Sequence, residues 1–219
     1  MQLNSDDVAE YLKEHSDFFE EYADLLSQIF VPHPHGGRAI SITERQIVTL
    51  RERSRKLESK LRELIAFGEE NDALSEKLHR ITLALIPARD VAATLDILAF
   101  NLREDFRVPH VALRVWDVAP QEGLAEFFVT DEATRGFAQG LSAPYCAGRP
   151  MLDTAAWFGE SAPLLRSFAY APLATDRVFG LLVLGAEDPQ RFYPEMGTLY
   201  LQRLAEVAAA ALARHVAFA

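Results

Sequence analysis

Cysteine is almost missing from this sequence: Cys146 is the only one among 219 residues. A lone thiol excludes an intrachain disulfide, and with it the stapled class of small secreted domain; it predicts a reducing, cytoplasmic setting. Long apolar runs are missing too. The stretch "VFGLLVLGA" covers residues 178–186, about half of the roughly 18 residues that a membrane-spanning helix needs. The N-terminal "MQLNSDDVAEYLKEHSDFF" has neither a basic n-region nor an apolar h-region, so no signal peptide is expected. Positive charge is in short supply: the net charge is −10, which argues against nucleic acid and anionic membranes as partners.

What is present is an ordinary soluble composition, 49% apolar and 25% charged. The length suits one domain with an extension, or two small domains. Charge is spread unevenly. Asp and Glu dominate residues 1–30, whereas Arg51, Arg53, Arg55, Lys56, Lys60 and Arg62 face only Glu52 and Glu58. A stripe of that kind reads as a solvated helix face.

Residues 5–29 read as one broken or two short amphipathic helices, with Tyr11, Leu12, Phe18, Phe19, Tyr22 and Leu25 recurring at spacings of three and four. Ser5 is the expected cap of the first, and Ser16 the residue that restarts the second. Next comes "PHPHGG", residues 32–37. Its prolines remove amide donors and its glycines admit positive φ, so regular structure cannot cross it. His33 and His35 lack the acid or cysteine that would complete a metal site, and the glycine pair matches no phosphate-binding fingerprint. The stretch is expected to be a hinge. Ser41 and Glu44 then stand at capping-box spacing and open a helix near residue 42.

That helix is long. Ile47, Leu50, Ser54, Leu57, Leu61 and Leu64 follow a heptad rhythm, and after a three-residue step Phe67, Asn71, Leu74, Leu78, Ile81 and Leu85 resume it. Some forty residues at 1.5 Å each reach about 60 Å, more than a small domain is wide. Pairing with a second copy is expected, with Ile47, Leu50, Leu57, Leu61, Leu64, Asn71, Leu74 and Leu78 as the seam; residues 5–29 folding back on the first half is the alternative, and both can hold. Pro87 ends the helix, and Asp90 caps the next, in "ARDVAATLDILAFNLREDF".

Beyond it the texture turns to mixed α and β. "VPHVALRVWD" alternates as a strand does, "LAEFFVTD" is a second expected strand, and residues 131–166 are irregular with two short helices. "SFAYAPL" and "RVFGLLVLGA" form a strand pair around "ATD", and residues 195–216 form a last, alanine-rich helix.

This order, and the closing stretch "SFAYAPLATDRVFGLLVLGAEDPQRFYPEMGTLYLQRLAEVAAAAL" above all, resembles a GAF domain over residues 90–217. The segments "YLKEHSDFF", "VPHPHGGRAISITERQIVTLRERSRKLESKL" and "APYCAGRPMLDTAAWFG" resemble a narrower group, the bacterial DUF484 proteins. Ala147 stands between Cys146 and Gly148, where that group has glycine directly after the cysteine. The resemblance implies an α+β fold, a GAF-like domain with a central antiparallel sheet flanked by helices, behind an N-terminal helical extension and a coiled-coil-type helix. The expected division is 1–41, helical segment and hinge; 42–88, dimerisation helix; 89–219, GAF-like domain.

It also implies a small-molecule pocket between the sheet and the crossover, with Arg114, Trp116, Phe128, Tyr145, Cys146, Arg149, Trp157, Phe158 and Tyr170 as candidate lining. The arginines suit an anionic group and the aromatics a ring; core packing is the competing role for the aromatics. The Asn-Lys-Phe…Asp-Glu signature of the cyclic-nucleotide-binding members is not found, and Cys146 is not followed by the histidine of bilin-binding ones. One cysteine cannot resolve its own sulfenic acid, so the methionine sulfoxide reductase relay cannot close within the chain. No enzyme activity, cofactor or metal is expected. Two readings remain: a regulatory homodimer that binds an unidentified small molecule and signals through its long helix, or an adaptor that recruits a protein through its N-terminal helices without any ligand.

Overall fold

The computed structural model describes residues 4–31, 40–121 and 123–218; the "PHPHGG" hinge, with His33 and His35, lies outside them. The chain divides into two compact units, Met1–Glu69 and Glu70–Ala219.

The first unit opens with α1 (Ser5–Glu14), α2 (Phe18–Glu21) and α3 (Ala23–Gln28). Asn4 caps α1 in place of Ser5, its own backbone N–H donating to the Asp7 carboxylate at 3.0 Å. Asp17, not Ser16, precedes α2. Tyr11, Phe19 and Tyr22 gather around Phe18, the first two edge-on and Tyr22 stacked at 4.9 Å between centroids. Yet α1 and α2 bury no residue. β1 (Phe30–Val31) pairs antiparallel with β2 (Ile40–Ser41), so Ser41 is strand and α4 begins at Ile42.

α4 (Ile42–Leu85) carries the heptad rhythm across the unit boundary, and its two halves fare differently. From Ile47 to Phe67 the seam positions Leu50, Leu57, Leu61 and Leu64 are exposed, from 44% at Ile47 to 70% at Leu57. In the second unit Ile81 and Leu85 are 0% and 2% exposed, and Leu78 packs against the same core. Seam positions Leu74 and Leu78 are therefore half-buried against their own unit. α4 stops at Leu85 because Pro87 disfavours helical backbone in its predecessor.

α5 (Val91–Glu104) starts where expected, the Asp90 carboxylate accepting from the Ala93 N–H at 2.8 Å. Then follow β3 (His110–Val115), α6 (Glu132–Gly140), β4 (Tyr145–Ala147), β5 (Ser167–Ala174), β6 (Val178–Ala186) and α7 (Leu199–Ala213). The sheet is antiparallel throughout, in the order β3-β6-β5-β4. The second expected strand is absent: in "LAEFFVTD", Ala125–Phe127 form a 3-10 turn against β3. Leu124 and Phe127 turn into the core while Val129 is 95% exposed, which breaks the alternation that a strand requires.

Strand parity sorts the core into two layers. Leu113, Val115, Ala169, Ala171, Leu173, Leu182 and Leu184 point toward α4, α5 and α7. The small residues Ala205, Ala208 and Ala209 let α7 sit close to the sheet. Phe168, Tyr170, Leu181 and Val183 point the other way, toward α6 and the 3-10 segment Leu152–Leu164. Gly180 is required on β6: a Cβ there would meet the Arg114 carbonyl oxygen at 2.8 Å.

Candidate functional site

The face of the sheet that looks toward α6 is where the resemblance to GAF domains implies a pocket. Three of the nine candidates meet there at the surface. Arg114 leaves β3 half-buried, its guanidinium 5.1 Å from the Trp157 ring and 6.0 Å from that of Phe128. It donates to the Leu113 carbonyl at 3.0 Å. Burial lowers its pKa, while Glu126 pulls the other way.

Deeper in, side chains fill the space. Phe168 and Tyr170 have no exposed surface. Their rings stack at 6.4 Å, Phe158 leans on Phe168 at 6.1 Å, and Phe137 meets Tyr170 edge-on at 5.5 Å. The Tyr170 hydroxyl accepts from the Met151 N–H at 2.8 Å and lies 3.2 Å from the Thr154 hydroxyl. Burial raises the Tyr170 pKa above the usual phenol value. This hydroxyl pins the segment after Met151 to the sheet, and Gly159 at φ +54° allows that segment its kink. Trp157 and Phe158 are half-buried lids of a packed layer.

The other candidates separate. Trp116 is buried in this layer. Tyr145 is exposed at the sheet edge, opposite Tyr170 in register. Arg149 is exposed. Cys146 is buried on the opposite face, among the residues beneath α7, because β4 alternates and Tyr145 and Ala147 take the near side. Desolvation pushes its thiol pKa up, which keeps it protonated and unreactive near neutral pH. Among the described residues no three His, Cys, Asp or Glu side chains gather as a metal site would need.

The sequence reading missed a cleft beside this layer. Asp117, which follows β3 in left-handed backbone at φ +56°, faces one side of α6 across a cavity of about 420 Å³. Thr130, Glu132, Arg135, Gly136 and Gln139 complete its lining. The spacing 132/135/136/139 puts four of these on one helix face, a pattern legible in the sequence. Arg135 spans the cleft wall: Nε donates to the Thr130 carbonyl at 3.2 Å and a terminal nitrogen to Asp117 at 3.1 Å. Its guanidinium lies 5.9 Å from the Trp116 ring. α6 begins firmly, with the Asp131 carboxylate accepting from both the N–H and the hydroxyl of Thr134, bonds that lower the Asp131 pKa.

Comparison with known proteins adds a family and a set of likenesses. A family model described as "Protein of unknown function, DUF484" matches residues 1–217. The uncharacterized protein YigA of Salmonella typhimurium is 23% identical over 211 residues, which is 93% of this chain and 88% of that protein. Two solved structures each resemble 64% of the chain at a TM-score of 0.48. One is a free methionine-R-sulfoxide reductase from Neisseria meningitidis in complex with its substrate, 24% identical and covered over 88% of its length. The other is the GAF domain of an Acinetobacter phosphoenolpyruvate-protein phosphotransferase, 17% identical and covered over 92%.

Proposed function

The chain belongs to the DUF484 family, and we propose that it is a regulatory module: a homodimer paired along the first half of α4, whose C-terminal unit takes a small-molecule input. The observation that carries this reading is the exposed stripe of α4. Ile47, Leu50, Leu57, Leu61 and Leu64 stand in solvent at heptad spacing, interrupted only by Ser54, with Phe67 exposed one three-residue step beyond, and monomers rarely leave an apolar surface of that kind bare. Each such side chain gains roughly 1.5–3 kcal/mol when fully covered. Arg53 and Glu58 flank the stripe five residues apart, the spacing that faces opposite charges across a parallel pair of helices. The "Gly-Leu-Leu" strand and acidic-Pro-x-x-Phe loop, which resemble GAF domains, support the regulatory reading.

No step of this function needs a catalytic group. Cys146 is buried and its thiol pKa is raised by burial. No helix among the described residues is long and apolar enough to cross a membrane.

One observation favours the adaptor reading. Phe168 and Tyr170 occupy the space that a ligand would need beneath the crossover, and the aromatic α1 and α2 have no fully buried residue. An aromatic, acidic surface of this sort suits a protein partner. The test is the double variant Leu57→Asp/Leu61→Asp, followed by size-exclusion chromatography with light scattering. The variant is expected to run as a monomer with its C-terminal unit folded; unchanged elution overturns pairing through α4.

A further inference from the structure

We propose that the cleft between Asp117 and α6 binds a small zwitterion of amino-acid size, a site separate from the packed layer beneath the crossover. This rests on the sensory half of the reading above and not on the pairing of α4. The cavity, about 420 Å³, falls within the usual range for small-molecule sites.

Its chemistry is mixed in sign: Arg135 pairs with Asp117 at 3.1 Å, while Glu132 stands apart from both. Arg135 is fixed by two bonds, to Thr130 and to Asp117, which leaves three of its five N–H donors for a ligand. The Glu132 carboxylate, one turn earlier on the same face and exposed, makes no hydrogen bond or ion pair among the described residues. It does not close on Arg135, so it stays open to a third party, while Arg135, paired with Asp117, offers its remaining N–H donors. A simple anion would meet Arg135 but also Asp117 and Glu132; a simple cation would face Arg135. A ligand carrying both charges satisfies the two ends together, carboxylate to Arg135 and ammonium to Glu132.

The Thr130 hydroxyl on the cleft wall and the Trp116 indole N–H behind Arg135 are both buried without a partner. Groups left so are rare in folded proteins and costly. Gly136 keeps the floor of the cleft open, since a Cβ there would meet nothing within 4 Å.

That glycine gives the decisive variant. A Cβ at 136 meets no atom within 4 Å, so leucine there projects from the lining of the cleft without a clash at its root, and it is a better helix former than glycine. The experiment screens the common free L-amino acids against the full chain by thermal shift, then measures affinity by calorimetry. At least one amino acid is expected to raise the melting temperature of the wild type. Gly136→Leu is expected to melt no lower than the wild type and to lose the shift. Glu132→Gln, and likewise the ligand's decarboxylated amine and its hydroxy-acid analogue, are each expected to bind at least about tenfold more weakly, the effect of roughly 1.4 kcal/mol. The site is overturned if no amino acid binds the wild type, if binding survives Gly136→Leu, or if either half-ligand binds as well as the parent. Molar mass measured on the same samples reports pairing separately, so a silent screen sinks the site and leaves the dimer standing.

Discussion

The two halves of α4 share one rhythm and meet opposite fates. Between Ile47 and Phe67 the apolar seam lies in solvent; between Leu78 and Leu85 it is sealed into a core with Leu98, Leu204 and Leu212. Heptad spacing says that a face needs covering and leaves open what covers it. Near Pro87 the cover comes from the same chain, because α5 and α7 fold back onto it. Near Leu57 the described residues supply none, and the cover proposed is a second copy of the same helix.

That contrast can be broken most forcefully at Ile81. Replacing it by alanine opens a cavity in a fully buried site and is expected to cost about 2–5 kcal/mol. Denaturant unfolding should show this loss undiminished at every protein concentration. Leu61→Ala, at an exposed position, should change stability by less than about 0.5 kcal/mol in the dilute monomer. It should lower stability further only at concentrations where the wild type pairs. A concentration-dependent Ile81→Ala, or a concentration-independent large loss for Leu61→Ala, would erase the distinction between the halves.

A second contrast sets the packed layer beside the open cleft. Tyr170→Phe strips the acceptor from the part-buried Met151 N–H and is expected to cost roughly 1–3 kcal/mol in thermal or chemical unfolding. A change within about 0.5 kcal/mol would mean that water replaces the hydroxyl and that the layer is looser than its contacts imply. The smallest effect concerns Cys146, which touches no proposed site. Iodoacetamide near neutral pH should label the native thiol far more slowly than the denatured one, because it is buried and held protonated. Equal rates would mean that the face beneath α7 opens readily.

Most of the fold was legible. The helix breaks at Pro87 and Asp90 follow from backbone rules, and β3, β5 and β6 announce themselves by alternation or by apolar runs between turn signals. "LAEFFVTD" was misread because consecutive apolar residues in a turn and in a strand look alike until their directions are known. The candidate pocket was only partly legible for a related reason. Arg114, Phe128 and Trp157 do converge, but aromatic residues that close a core and those that line a pocket have the same composition. The phase of a three-residue strand decides the side on which Cys146 falls, and sequence does not fix that phase. The cleft needed Asp117 brought against a helix face fifteen or more residues on, a tertiary contact that no local spacing encodes.

The most direct measurement is the molar mass of the intact wild-type chain by sedimentation equilibrium across a wide concentration range. Pairing through α4 predicts twice the 24.5 kDa of a single chain at micromolar concentrations and above, falling toward one chain on dilution. A mass of one chain at every concentration would contradict the account and leave the exposed stripe to a different protein.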